Sequence, residues 1–205
     1  MRKDNIYFKI LKLDKSIYNE LIVAPSSLQR AIAIWIATAF IAGLSVFRIF
    51  ENIISYIQTQ LSIIASEIPQ ELLIEIGTAV SELEAIFNSE SSTTTLLTTV
   101  GTSLAVALIG VSFVFLLLKY LFRKEPNFYH IVIISGFASV PGLLNILVLF
   151  TDSLFLQLVL GVSTGILSLF CLGSGLKQVY LLRNIETILL VVGSSIVGSL
   201  LLPTS

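Results

Sequence analysis

The sequence predicts an all-α membrane protein with five transmembrane helices. Three observations support this fold class: the composition, five long apolar segments, and the alternation of basic and non-basic connections between them. Of the 205 residues, 55% are hydrophobic and only 12% are charged, which is about half of the charged share in soluble domains. A soluble domain of this size cannot bury so much apolar surface, so lipid must be the solvent for much of the chain.

Five segments are long enough to cross a bilayer, since a span needs about 20 apolar residues to cross a hydrocarbon core of about 30 Å. The predicted spans are 31–50, 97–118, 128–150, 153–176 and 185–202, and the fifth is the shortest. Together with their connections they form one membrane domain, 31–202, which a short segment, 1–30, precedes.

Basic residues orient the predicted bundle. They precede the first span and follow the second and the fourth, whereas no Lys or Arg lies between Arg48 and Lys119. The basic residues on the side that they define are Arg2, Lys3, Lys9, Lys12, Lys15, Arg30, Lys119, Arg123, Lys124, Lys177 and Arg183. Because basic loops stay in the cytoplasm, this alternation predicts a cytoplasmic N-terminus and a C-terminus on the other side.

The N-terminal segment has its own apolar pattern. Apolar residues recur at helical spacing among lysines, at Ile6, Ile10, Leu13, Ile17 and Leu21. This pattern predicts a basic amphipathic helix, and Pro25 interrupts the chain before the first span. The helix can lie on the cytoplasmic leaflet or pack on the ends of the spans, and the sequence leaves both arrangements open.

The connection 51–95 is much longer than neighbouring spans require. Apolar residues recur every three or four positions from Ile53 to Phe87, with acidic and amide side chains opposite them. This pattern predicts two amphipathic helices in the outer loop, 51–66 and 69–87, with Ser66 as a cap and Pro69 in the first turn of the second helix. Lipid, the span ends or a partner protein can cover the stripe, and the predicted partner surface is formed by Leu72, Ile76, Val80 and Leu83.

No recognisable catalytic constellation is present, and we expect that the protein is not an enzyme. Ionisable groups fall at the predicted span ends, and the single histidine, His130, lies near the start of the third span. One histidine and one cysteine, Cys171, argue against a zinc site, and we expect no cofactor. The net charge of −1 argues against nucleic acid as a partner.

Small residues stand one helical turn apart in three spans, where they allow helix backbones to approach closely. The pairs are Ala138 and Gly142, Gly161 and Gly165, and Ser194 and Gly198. Pro141 is expected to kink the third span and to free a backbone carbonyl, for which Asn145 is a candidate partner. The kink can be architectural or can mark a ligand site.

This arrangement resembles the Yip family of five-span membrane proteins, named for their interaction with Ypt/Rab GTPases. The segment Phe137-Ala-Ser-Val-Pro-Gly142 resembles the family's aromatic–small–Pro signature, and Gly175-Leu-Lys-Gln-Val-Tyr180 resembles its connection into the last helix. The resemblance covers roughly residues 17–202 and implies structural roles for Pro141, Gly142, Gly175 and Leu176. The short N-terminal segment resembles the prokaryotic members, which implies a location in the plasma membrane.

The sequence therefore favours a non-catalytic membrane adaptor or accessory subunit that binds other integral membrane proteins through its spans and its outer helices. Membrane lipids are the other expected contacts, and association between copies of the chain stays open. The alternative is a channel or transporter component, for which Pro141 and Asn145 are the only mid-span candidates. An intramembrane enzyme is disfavoured because acid–base groups at depth are missing.

We predict that residues 1–30, 119–127 and 177–184 face the cytoplasm, because the basic residues cluster there. Single cysteines placed on a Cys171→Ser background and treated with a membrane-impermeant thiol reagent test this topology. A cysteine at position 90 should react only from the opposite side. Labelling of position 90 from the cytoplasm alone would contradict the model.

Overall fold

The computed structural model describes residues 6–65, 68–89 and 92–200, and within these ranges the secondary structure is entirely helical. The α-helices are α1 (Ile6–Leu11), α2 (Ser16–Val23), α3 (Ser27–Ile64), α4 (Gln70–Ser89), α5 (Ser92–Leu116), α6 (Phe128–Ala138), α7 (Leu154–Tyr180) and α8 (Asn184–Leu200). A π-helical turn, Leu117–Leu121, extends α5, and a 3₁₀-helix, Val140–Phe150, extends α6.

Four of the described helices are long and apolar enough to cross a membrane: Ser27–Ile64, Leu96–Leu121, Phe128–Phe150 and Leu154–Tyr180. They contain the first three predicted spans and all of the fourth except Ser153, so this part of the prediction is confirmed by length and composition. The described apolar part of α8 is shorter, Asn184–Ile196. The predicted fifth span, 185–202, extends beyond the described residues and stays a prediction.

The first span does not end at residue 50, as the sequence analysis expected. Helix α3 continues without a break to Ile64, so a separate helix over 51–66 is wrong; no proline or glycine interrupts this stretch. Helix α4 begins directly after Pro69, whose carbonyl accepts a hydrogen bond from the Leu73 amide at 3.2 Å. Ser66, the predicted cap, lies outside the described residues.

The third span, Phe128–Phe150, lies at the centre of the bundle. Of its most apolar stretch, 56% is buried, compared with at most 22% in the other three long helices. Helix α3 packs along it in the same direction, as paired contacts show: Ala31 with Gly136, Thr38 with Ser139, Ser45 with Asn145, and Arg48 with Asp152. Helix α7 packs on it in the opposite direction, with Gly175 at Ile134 and Thr164 at Asn145.

Two glycines set the distance between these helices. A Cβ atom on Gly136 would lie 2.6 Å from both the Cβ and the carbonyl oxygen of Ala31. A Cβ atom on Gly175 would lie 2.6 Å from Cγ2 of Ile134 and 2.9 Å from the Tyr18 ring. Neither position has room for a side chain, so the backbones of α6 and α7 approach their neighbours as closely as glycine permits.

The kink predicted at Pro141 is a change of helix type. Helix α6 ends at Ala138, and the Ser139 hydroxyl donates to the Gly136 carbonyl at 2.7 Å. Pro141 then stands at the start of the 3₁₀-helix, where its missing N–H costs least. The side-chain hydrogen bond of Asn145 is to α7 instead, since its Oδ1 accepts from the Thr164 hydroxyl at 2.6 Å.

The N-terminal segment packs on protein, which is one of the two arrangements that the sequence left open. It forms two short helices, α1 and α2, instead of one, and its apolar side chains Ile10, Ile17, Tyr18 and Leu21 are buried in the same core as α6 and α7. Burial raises the pKa of the Tyr18 phenol, with a smaller contribution from the Cys171 thiol. The Cys171 thiol donates to the Ile10 carbonyl at 3.6 Å.

The turn between α1 and α2 is held by local hydrogen bonds. The Asp14 carboxylate accepts from the Ser16 hydroxyl at 2.7 Å and from the Ser16 amide at 3.1 Å, and these bonds lower the pKa of Asp14. Leu13 adopts a positive φ of 57°, which reverses the chain after α1. We call the unit Ile6–Val23 the N-terminal hairpin.

We predict that Gly175→Leu displaces the N-terminal hairpin, because the new side chain must enter the space of the Tyr18 ring. Overpacking of this kind costs about 1–3 kcal/mol. The variant should lose thermal stability in detergent and become sensitive to trypsin at Lys9, Lys12 and Lys15.

The matched control is Gly101→Leu, since a Cβ on Gly101 meets nothing within 4 Å. Equal stability and equal trypsin resistance in the two variants would show that the hairpin does not pack at Gly175.

Candidate functional site

A cleft separates α5 from α7. Both helices pack on α3 and on α8, but they make almost no contact with each other. The gap contains two adjoining cavities of about 230 Å³ and 270 Å³, which share Trp35, Ala107, Ser139 and Ser168 in their walls. We call this space the α5–α7 cleft.

Hydroxyl groups line the cleft. They belong to Thr38, Ser103, Ser135, Ser139, Thr164, Ser168, Ser194 and Ser195. Several donate to a carbonyl of their own helix, as Thr38 does to Ile34 at 2.9 Å and Ser195 to Val191 at 2.8 Å. Such bonds occupy the proton and leave oxygen lone pairs available as acceptors.

Three hydroxyls in the cleft form no hydrogen bond with any other described residue: Ser103, Ser135 and Ser168. In an apolar environment, formation of a hydrogen bond by such a hydroxyl lowers the free energy. None of the described residues that line either cavity is charged. The cleft therefore suits an uncharged occupant that offers hydrogen-bonding groups.

The structure brings four of the predicted packing residues to this cleft: Gly142, Asn145, Gly161 and Gly165. Gly142 packs inside the chain, since a Cβ there would lie 3.4 Å from Cγ2 of Thr38. Gly161 and Gly165 do not, because a Cβ on either residue meets nothing within 4 Å. The small-residue face of α7 is therefore open.

The other predicted structural residues lie in the core. Leu176 is fully buried, and Pro141 is also among the buried side chains. Gly175 contacts Ile134 and Tyr18, as described above. These positions support the bundle and do not line the cleft.

The predicted partner surface on α4 divides into exposed and buried parts. Leu72 and Ile76 are 48% and 38% exposed, whereas Val80 is buried. The side chain of Leu83 lies outside the described residues. The stripe is therefore partly covered within the chain and partly open.

Two polar contacts near the turn between the third span and α7 were not predicted. Gln157 is completely buried, and its Nε2 donates to the Thr151 carbonyl at 2.7 Å and to the Val148 carbonyl at 3.3 Å. Arg48 donates to Asp152 at 2.5 Å, which ties α3 to the turn before α7. The sequence signal that could have identified Gln157 is a single amide side chain near the start of an otherwise apolar span.

His130 is half-buried in the first turn of α6. Within the described ranges, no group of three or more His, Cys, Asp or Glu side chains is placed to hold a metal ion. The absence of catalytic activity and of a cofactor stays a prediction.

Comparison of the chain with protein-family models, with curated proteins and with solved structures finds no match. The resemblance to the Yip family accordingly stays a prediction.

Proposed function

We propose that this protein is a non-catalytic membrane adaptor or accessory subunit that binds a transmembrane helix of another integral membrane protein in the α5–α7 cleft. The observation that carries the proposal is the open face formed by Gly161 and Gly165. In helix pairs within membranes, small residues one turn apart allow the backbones to approach closely.

The polar lining of the cleft fits the same occupant. Helices in lipid gain little from the hydrophobic effect, so packing and hydrogen bonds across the interface carry the association. Ser103, Ser135 and Ser168 supply unpaired hydroxyls on three different helices that surround the cleft. A partner helix with a small or polar face would satisfy these groups, whereas an acyl chain would not.

A topology with five spans and a cytoplasmic N-terminus is part of this proposal. The directions of packing bring the start of α3, the end of α5, the start of α6, the end of α7 and the start of α8 to one end of the bundle. Of the basic residues within the described ranges, all except Arg48 belong to segments at that end, as a cytoplasmic face requires. In this topology, α4 and the end of α3 stand on the outer side, where Leu72 and Ile76 offer a second contact surface.

A second candidate function, a channel or transporter component, is favoured by one specific feature. The 3₁₀-helix Val140–Phe150 borders the cleft with Gly142 and Asn145. Transporters place substrates near the bilayer midplane beside helices that depart from α geometry. The cleft and this segment together are a suitable substrate site of that kind.

The two candidates predict different neighbours for the cleft. A photo-crosslinking amino acid at position 168, which lines both cavities of the cleft, should give an adduct of discrete mass with another membrane protein in native membranes. The matched control is position 162 on the same helix, because Val162 is 61% exposed and does not line the cleft. It should give only lipid adducts.

Gly165→Leu should reduce recovery of the crosslinked partner by about tenfold, since filling the interface removes close packing worth about 1.4 kcal/mol or more. Adducts that contain lipid alone at both positions would overturn the adaptor proposal. Solute flux in proteoliposomes that Gly165→Leu abolishes would then favour the transporter component.

A further inference from the structure

A second opening lies on the other side of α7, along its contact with α8. This cavity measures about 430 Å³, and of its described lining residues it shares Leu169 alone with the α5–α7 cleft. Its walls are largely apolar and include Leu169, Phe170, Ile188 and Val192. The two helices meet at Gly173, where a Cβ would lie 3.2 Å from Cγ2 of Thr187. We call this cavity the α7–α8 groove.

One end of the groove is basic. Lys15 from the N-terminal hairpin and Lys177 from α7 both line it, together with Asn184 at the start of α8. The Lys177 ammonium donates to Asn184 Oδ1, and it has two further N–H donors. The Lys15 ammonium has no hydrogen bond or ion pair with another described residue. Among the described residues that line the groove, no side chain is acidic, so these charges are not neutralised there.

The length of α7 indicates that the basic end of the groove lies at the level of lipid headgroups. Helix α7 has 27 residues, which gives a length of about 40 Å against a hydrocarbon core of about 30 Å. Lys177 is in the last turn of this helix, so it extends beyond the core, while Phe170 and Ile166 lie within the depth of the acyl chains. The groove therefore changes from basic to apolar in the direction in which a lipid changes from headgroup to tail.

We propose that the α7–α8 groove is a binding site for one anionic phospholipid. Its phosphate pairs with Lys15 and Lys177, and an acyl chain lies along the apolar walls. Basic pockets between spans on the cytoplasmic side recognise anionic headgroups in this way. A soluble phosphate would leave the apolar walls of the groove uncovered. A zwitterionic lipid would place its own cationic group beside the two lysines, where none of the described residues of the groove offers an acidic side chain to pair with it.

The site joins two parts of the chain. Lys15 belongs to the N-terminal hairpin, and the rest of the groove belongs to α7 and α8. A bound anionic lipid therefore links the hairpin to the last two helices through its phosphate. Lipid binding should stabilise the docked hairpin by mass action, because it requires both lysines in place.

Native mass spectrometry of the full chain, titrated with phosphatidylglycerol or phosphatidylcholine in mild detergent, tests the proposal. The wild-type protein should retain one phosphatidylglycerol molecule in preference to phosphatidylcholine. The Lys15→Gln/Lys177→Gln variant should bind phosphatidylglycerol about 25-fold more weakly, since each lysine near a headgroup contributes about a fivefold factor. The control Lys124→Gln/Arg183→Gln removes the same charge from the same end of the bundle outside the groove, and it should bind as the wild type does.

Two further measurements identify the ligand. Ile188→Trp fills the groove and leaves both lysines in place, so it should also weaken binding of phosphatidylglycerol. If the lysine variant fails to fold, Ile188→Trp tests the proposal in its place. Inorganic phosphate should not displace the lipid. Any one of four results would overturn the proposal. Phosphatidylglycerol binding could weaken equally in the lysine variant and its control, or the protein could retain the two lipids equally. Binding could also be unchanged in Ile188→Trp, or inorganic phosphate could displace the lipid.

Discussion

The close approach of the third span to α3 at Gly136 and Ala31 is the contact on which the rest of the bundle depends. At a Cβ distance of 2.6 Å no side chain fits at position 136, and the two helices are held in register further along by polar contacts. Thr38 lies 3.4 Å from the Ser139 hydroxyl, and Ser45 donates to the Asn145 carbonyl at 3.1 Å. In a solvent of lipid, such packing and hydrogen bonds replace the hydrophobic effect as the force between helices.

This central contact also explains why two spaces stay open. The third span, α3 and α7 form a tightly packed layer, while α5 and α8 cover only part of it. The α5–α7 cleft is uncharged and lined by hydroxyls, and the α7–α8 groove is apolar with two lysines at one end. The first therefore suits a neutral helix and the second an anionic lipid, so one bundle offers two different binding chemistries.

Hydropathy predicted the helices well because apolar length is a property of each segment alone. Four predicted spans lie within long apolar helices, to within one residue at the start of the fourth. The break near Pro141 was expected, although its 3₁₀ form was not. The lateral partners could not be predicted, since the period of a pattern shows which face is apolar but not which neighbour covers it. The motif Gly161-x-x-x-Gly165 illustrates this point, because it is open, whereas a Cβ on Gly136, which is in no such predicted pair, would lie only 2.6 Å from Ala31. The continuation of α3 to Ile64 was missed because its apolar first half and its amphipathic second half have different sequence patterns, which suggested two separate helices.

The central claim, that the third span packs on α3 in parallel and in this register, is tested most directly by a disulfide. In membranes, Thr38→Cys/Ser139→Cys on a Cys171→Ser background should oxidise readily, because the two hydroxyl oxygens lie 3.4 Å apart and the replacing thiols fall within bonding reach. The mismatched pair Ser45→Cys/Ser139→Cys should stay reduced, since Ser45 lies at Asn145 instead. An intramolecular disulfide in the first pair alone is the result that this structure predicts. A reduced first pair in folded protein, or faster oxidation of the mismatched pair, would contradict it.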